Sequence, residues 1–136
     1  MKLCDETITL ISSQMDAETG YDVYNATVIR GASWHCEIAS TVDSSGLKAA
    51  DKFNIRVPVD ADFGGKSYIL PNEYATADPD RYFTFRNGDT IIRGAVTGTD
   101  LSPAALRKSY AEVATILGVT DNRASRRSPH WKVVGK

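Results

Sequence analysis

Four side chains of this 136-residue sequence have the chemistry to ligate zinc: Cys4, His35, Cys36 and His130. Their spacing argues against a shared ion. None shows the close pairing of a zinc knuckle, and on a strand the neighbours His35 and Cys36 point to opposite faces. Cys36 reads as a small buried hydrophobe and His35 as a surface residue. Nothing resembling a protease signature flanks either cysteine, so a Cys/His nucleophile pair has no more support. Asp60 and Asp62 fall on one side of an extended segment, as a hydrolytic carboxylate pair would. Acidic residues crowd this stretch, however, and chance explains the pair. Gly64-Gly65-Lys66-Ser67 ends like a phosphate-binding loop but lacks the upstream glycine and a following helix. Asn25-Ala26-Thr27 matches a glycosylation acceptor, which is idle without a secretory signal. The residues therefore predict no catalytic centre, no metal and no cofactor.

A basic stretch is more informative. Arg123, Arg126, Arg127, His130 and Lys132 occupy one loop and the strand after it, enough charge to hold a phosphate backbone or an acidic partner without reading sequence. No recognition helix accompanies them. Trp131 could stack on a base, but Trp131 and Val133 alternate with Lys132, which assigns the indole to the core.

The elements that position these residues are mostly strands. Thr7-Ile8-Thr9-Leu10 alternates, Asp22 to Ile29 is rich in β-formers, and Glu18-Thr19-Gly20 supplies turn chemistry, so the opening reads as a hairpin. Gly31 then interrupts before a half-buried strand in which Trp34, Cys36 and Ile38 share a face. After a loop at Asp43-Ser44-Ser45-Gly46, the odd positions from Phe53 to Val59 are all apolar. Pro58 cannot donate to a ladder, which places that strand at an edge or bulges it. From Asp60 to Asp80 the periodicity fades and turn residues recur; a long acidic insertion is expected, acting as a contact arm. Arg81 to Phe85, the Asn87-Gly88 turn and Thr90 to Arg93 predict a tight hairpin. Ser102 as cap, Pro103 at the first helical position, and Leu106 with Tyr110 on one face predict a short helix at about 102–111. Val113 to Thr120 is a β-rich apolar segment, Asp121 to Ser128 a basic loop, and His130 to Val134 a final strand.

With 42% hydrophobic and 24% charged residues the chain is an ordinary globular one, and its length suits a single domain over residues 1–136. The fold class is thus mainly β: a small antiparallel β-barrel or sandwich with one short helix and long loops or arms. No apolar run is long enough to span a membrane, and Met1 to Glu6 lacks a signal-like stretch, so a reducing cytoplasm is the expected site of synthesis. Net charge is −1, yet residues 1–80 carry six Lys or Arg against 13 Asp or Glu, and residues 81–136 ten against four. Opposed charges on one small body would suit head-to-tail packing of identical copies.

Three stretches carry a resemblance: Thr90-Ile91-Ile92-Arg93-Gly94, Ile116 to Arg123, and the ending Pro129 to Lys136. With Thr19 to Asp22, Glu37 to Ser40 and Phe53 to Asp60, they make the chain resemble a family of phage and prophage structural proteins of Gram-positive bacteria. Within tailed phages the layout is similar to head-closure (stopper) proteins. That resemblance implies a virion protein of the neck, assembled in the host cytoplasm. It would form a homo-oligomeric ring of roughly six or twelve copies between the portal or adaptor and the tail proteins, retaining packaged DNA. A tail terminator or adaptor of the same particle, or a small nucleic-acid-binding module, is the alternative. Contacts with neighbours would fall on Asp60, Asp62, Tyr68, Glu73, Asp78 and Asp80. Arg123, Arg126, Arg127 and Lys132 would meet a partner or the phosphates of DNA in the channel.

Overall fold

The computed structural model describes residues 6–15, 18, 20–43, 46–74, 76–96, 101–110 and 112–136, with only the backbone described at 36–51. The chain is mainly β. In order it forms β1 (Glu6–Met15), β2 (Asp22–Asp43), β3 (Gly46–Pro58), β4 (Ser67–Tyr68), α1 (Pro71–Tyr74), β5 (Tyr82–Phe83), β6 (Thr90–Arg93), α2 (Pro103–Ser109), β7 (Val113–Asn122) and β8 (His130–Gly135). Six strands close a hydrogen-bonded ring in the order β1-β2-β3-β8-β7-β6, every pair antiparallel.

The ring is two half-sheets that share their long strands. β2 pairs with β1 as far as Ala32 and with β3 from Ser33 onward; β7 pairs with β6 up to Thr115 and with β8 from Ile116. Each long strand must bend where it changes partner. In β2 the bend falls beside Gly31, whose φ of 96° suits glycine, so the residue expected to end a strand instead turns a continuous one. Beside it, Trp34 N–H donates to a Glu6 carboxylate oxygen at 3.0 Å, and Glu6 also binds Arg93, which reaches Glu112 at 2.9 Å. In β7 the register slips between Ile116 and Gly118, throwing Leu117 outward. Gly135 sits against this corner, where a Cβ would meet Ala114 Cβ at 3.0 Å and the Thr115 carbonyl oxygen at 3.1 Å.

Alternation decides what faces inward. Ile8, Leu10, Ile29, Trp34, Ile55, Val57, Ile91, Ile116, Trp131 and Val133 fill the ring together with Phe83 and Phe85. A second, smaller cluster lies where Ile11, Ile92 and Val113 meet Leu106 of α2, so the helix covers the outer face of the β1–β6–β7 half. Burying Leu106 contributes about 2 kcal/mol, and Pro103 starts the helix as expected, with Ser102 in extended N-cap conformation.

Three local expectations are corrected. β3 is not an edge strand as a whole, since it lies between β2 and β8 from Phe53 to Arg56; the expected edge exists only locally at Pro58, which lies past the last β2 partner, so its missing N–H faces no neighbour in that strand. The turn at Asn87-Gly88 forms, with Asp89 N–H donating to Arg86 O at 3.2 Å, but its flanks do not pair with each other. β5 pairs in parallel with β4, while β6 pairs with β1 and β7. Among the described residues only glycines have positive φ, so Asn87 does not take the conformation a tight hairpin turn needs and the flanks splay.

The third correction concerns residues 60–80, which do not project as an arm. Phe63 and Tyr68 pack onto the main core, and Tyr74 is buried. Apolar side chains at these positions would cost more exposed than the segment's polar groups gain in water, so it folds back. On its way it caps the open edge of β2. Arg30 and Asp62 exchange backbone hydrogen bonds of 2.9 and 2.8 Å, and Lys66 Nζ donates to Ala26 O at 3.0 Å. Edge strands need such covers, and a lysine is a common one.

Candidate functional site

Two surfaces bring sequence-predicted residues together. The first is the mouth of the ring beneath residues 60–85, where rings interlock: Phe63 stacks on Phe83 at 4.8 Å, and Tyr68 meets Trp131 at 4.9 Å. Phe85 lies 5.4 Å from the same indole. Arg123 closes this cluster, its guanidinium 4.9 Å above the Tyr68 ring and 5.4 Å above that of Trp131. Asp121 holds the guanidinium through Nε and Nη2 at 2.6 to 2.9 Å, and this bonding pulls the Asp121 carboxyl below its ordinary range. Burial pushes the Tyr68 hydroxyl up, with Arg123 opposing. Arg123, predicted to meet an external anion, is therefore already neutralised within the chain, and Trp131 is core as its alternation implied.

The second surface is the outer face of the β2–β3–β8–β7 half. Residues alternate with the inward set, so Ser33, Arg56, Lys132 and Thr120 point out. They stand in one row across four strands: Ser33 opposite Arg56, Arg56 opposite Lys132, Lys132 opposite Thr120. The next row holds His35 and Asn54, and on the other side His130 faces Asn122. Ser33, His35, Asn54, Arg56, His130 and Lys132 line a shallow depression of about 310 Å³. Arg56 Nη2 donates to Ser128 Oγ at 2.5 Å. His130 Nδ1 lies 2.7 Å from the Ser128 carbonyl, which can only accept, so that nitrogen carries a proton; Nε2 lies 3.2 Å from Asn122 Nδ2. The ring orientation is thus fixed from both sides.

The remaining candidates separate. Arg126 and Arg127 are exposed in the loop between β7 and β8. Asp60 and Glu73 are exposed; the Asp62 carboxylate caps Gly64 N–H at 2.9 Å, and that of Asp78 caps Asp80 N–H at 2.9 Å and approaches Arg81 at 3.8 Å. The acidic set is spread along the folded-back segment, much of it serving local turns. Asp60 and Asp62 line none of the depressions described, and the Asp62 carboxylate is engaged by Gly64 N–H while its backbone pairs with Arg30. Burial lowers the Lys66 ammonium, while Asp80 and Asp78 oppose that shift. Cys4 lies outside the described residues and so does the Cys36 side chain; among the described residues no three His, Cys, Asp or Glu cluster as metal ligands. Among the described residues no helix is long and apolar enough to cross a membrane.

Sequence reading found Lys132 and His130 but missed Ser33, Arg56 and Thr120. The available signal was their alternation with Trp34, Ile55 and Trp131, which marks them as outward positions without saying which strands adjoin.

A sequence profile described as "Family of unknown function (DUF6751)" matches residues 3–136. The chain belongs to this family. The match takes in all ten elements, so fold and both surfaces lie inside the family's span. No curated protein and no solved structure matches this DUF6751 member.

Proposed function

We propose that this DUF6751 member is a structural subunit of a bacteriophage neck. In this reading it is a head-closure (stopper) ring protein that joins the portal or adaptor to the tail and retains packaged DNA. One observation carries the assembly role: the β2–β3 ribbon runs past the ring. β8 pairs with β3 only from Phe53 to Pro58, and β1 leaves β2 at Ala32. From Ile38 to Asp43, and from Gly46 to Asp51, the two strands have only each other among the described residues. Six residues of strand extend about 20 Å. A lone two-stranded ribbon is marginal in water, and its open edges recruit further strands. Such an extension is stabilised by seating on a neighbouring subunit, which is what a ring requires. The neck assignment itself rests on the resemblance in Thr90 to Gly94, Ile116 to Arg123 and Pro129 to Lys136.

Deletion of the gene from a phage that carries it tests this reading. Electron microscopy of the lysate should show filled heads that leak DNA beside separate, finished tails. Intact infectious particles would refute a neck role, and overlong tails would refute head closure in favour of a tail terminator.

A further inference from the structure

We propose that the outer face of the β2–β3–β8–β7 half binds the phosphodiester backbone of nucleic acid, without reading base sequence, through Ser33, Arg56, Lys132 and Thr120. This inference does not depend on the neck assignment.

The two half-sheets are treated differently by the fold. The outer face of one is covered by Leu106 and the rest of α2; no element covers the outer face of the other among the described residues. On that open face Arg56 and Lys132 stand directly opposite each other on adjacent strands. Like charges in this position repel, and neither cation pairs with a carboxylate among the described residues. A hydroxyl flanks the pair on each side, and the His130 ring is held beside it by Ser128 and Asn122. No described outward side chain of these four strand segments is acidic: besides the row itself they are His35, Lys52, Asn54, Pro58, Leu117, Asn122, His130 and Val134.

Strands lie about 4.8 Å apart, so the row is about 15 Å wide. Duplex DNA presents one negative charge per roughly 1.7 Å of axis, so several phosphates fall within that width. Arginine and lysine flanked by hydroxyls are the donors phosphate backbones are met with. Among the described residues the face offers no aromatic ring on which a base could stack and no helix to enter a groove, so contact stops at the backbone. The chain's own acidic segment is a poorer occupant, because Asp62 and Asp78 already serve turns and Asp78 and Asp80 lie near Lys66.

The test is fluorescence anisotropy of a labelled 25-base-pair duplex of arbitrary sequence, titrated with the full chain at several salt concentrations. Binding should weaken steeply with salt. Arg56→Gln with Lys132→Gln should weaken it at least tenfold and lower the log–log salt slope by about 1.8, that is 0.9 for each phosphate contact removed. Arg123→Ala with Asp121→Ala, which removes a mutually neutralised pair, should leave both affinity and slope unchanged. Circular dichroism checks the fold of each variant. Should the double variant fail to fold, Ser33→Glu places a negative charge in the same row and should give the same loss. Absence of salt-dependent binding, or equal binding by the row variants, overturns the proposal. So does a row variant that alters self-association in sedimentation while DNA binding persists, since the face would then belong to a second copy.

Discussion

Arg86 and Asp89 make the sharpest test of how the ring is fastened. The Asp89 side chain is only 5% exposed, and Arg86 Nη2 reaches its Oδ1 at 2.9 Å. The same nitrogen donates to Ser13 O at 2.7 Å, tying the turn to the end of β1. On the other flank Ile116 N–H donates to Asp89 O, and Gly88 N–H to Ile116 O, both at 2.8 Å. One guanidinium thus secures a turn between β1 and β7. Replacing Arg86 by Met keeps the aliphatic stem but strands the carboxylate. Removing one partner of a buried pair costs about 3–5 kcal/mol; because Arg86 is partly exposed, the lower figure, about 3 kcal/mol, applies. With a urea slope of about 1.5–2 kcal/mol/M, the midpoint should fall by about 1.5–2 M. Arg86→Met with Asp89→Asn should recover a large part of the loss, since no buried charge is left alone.

The pH dependence has a definite sign. Burial pushes the Asp89 carboxyl above its ordinary value, and Arg86 pulls it back in part. Between the unfolded and the folded pKa, the folded state binds more protons than the unfolded one. Stability therefore falls as pH rises through that window and stays lower above it. Without Arg86 the opposing pull is gone and the window widens upward, so the deficit of Arg86→Met should shrink as pH drops from 7 towards about 5. Chemical denaturation at both pH values measures this. A midpoint shift below about 0.3 M, or a deficit that does not change with pH, would refute the account of Asp89 as a buried charge held chiefly by Arg86.

Two further changes probe other joints. Gly135→Ala places a methyl group at 3.0 Å from Ala114 Cβ and 3.1 Å from Thr115 O, backbone and short side chain that cannot swing away, so thermal unfolding should show a loss of about 1–3 kcal/mol. Arg123→Ala removes an ion pair whose two members are both more than 40% exposed, together with its contact to the aromatic mouth; the loss should stay below about 1 kcal/mol, read from the urea midpoint.

Period-two alternation was enough to assign Phe53, Ile55, Val57, Trp131 and Val133 to the interior and to place the last strand, because each inward position is decided locally. The helix at Pro103 was equally legible, since proline at the first helical position and the Leu106–Tyr110 spacing are local signals too, although the Ser102 side chain makes no cap hydrogen bond. Partner choice was not. Nothing near Asn87-Gly88 says that Thr90 to Arg93 will pair with Ile8 to Ile11 and with β7 instead of with the segment before the turn. The acidic stretch after Asp60 looked like an arm because its aromatics are sparse, yet Phe63, Tyr68 and Tyr74 suffice to draw it over the mouth once Trp131 and Phe85 are there to receive them. The actual projection, the distal β2–β3 ribbon, reads in sequence as ordinary strand; only the early end of β8 pairing reveals it.

The same non-local logic reverses the meaning of the charge pattern. In sequence the basic half ends the chain and the acidic half begins it, which suggested two opposed poles. Folding brings only part of that contrast together: Arg93 binds Glu6 and Arg81 meets Asp78 across the two halves, whereas Arg93–Glu112, Arg86–Asp89 and Arg123–Asp121 pair within the basic half. The cations without a carboxylate partner among the described residues come from both halves. Arg56 comes from the acidic part and Lys132 from the basic part, and the ring sets them side by side on the only half-sheet face that no helix covers among the described residues. A chain whose formal charge is −1 can therefore present a locally cationic plane, because a phosphate backbone responds to charge within about a Debye length, roughly 8–10 Å, and not to the molecular total. Net charge argues against nucleic-acid contact only when the charges are evenly spread, and the β3–β8 pairing ensures that here they are not.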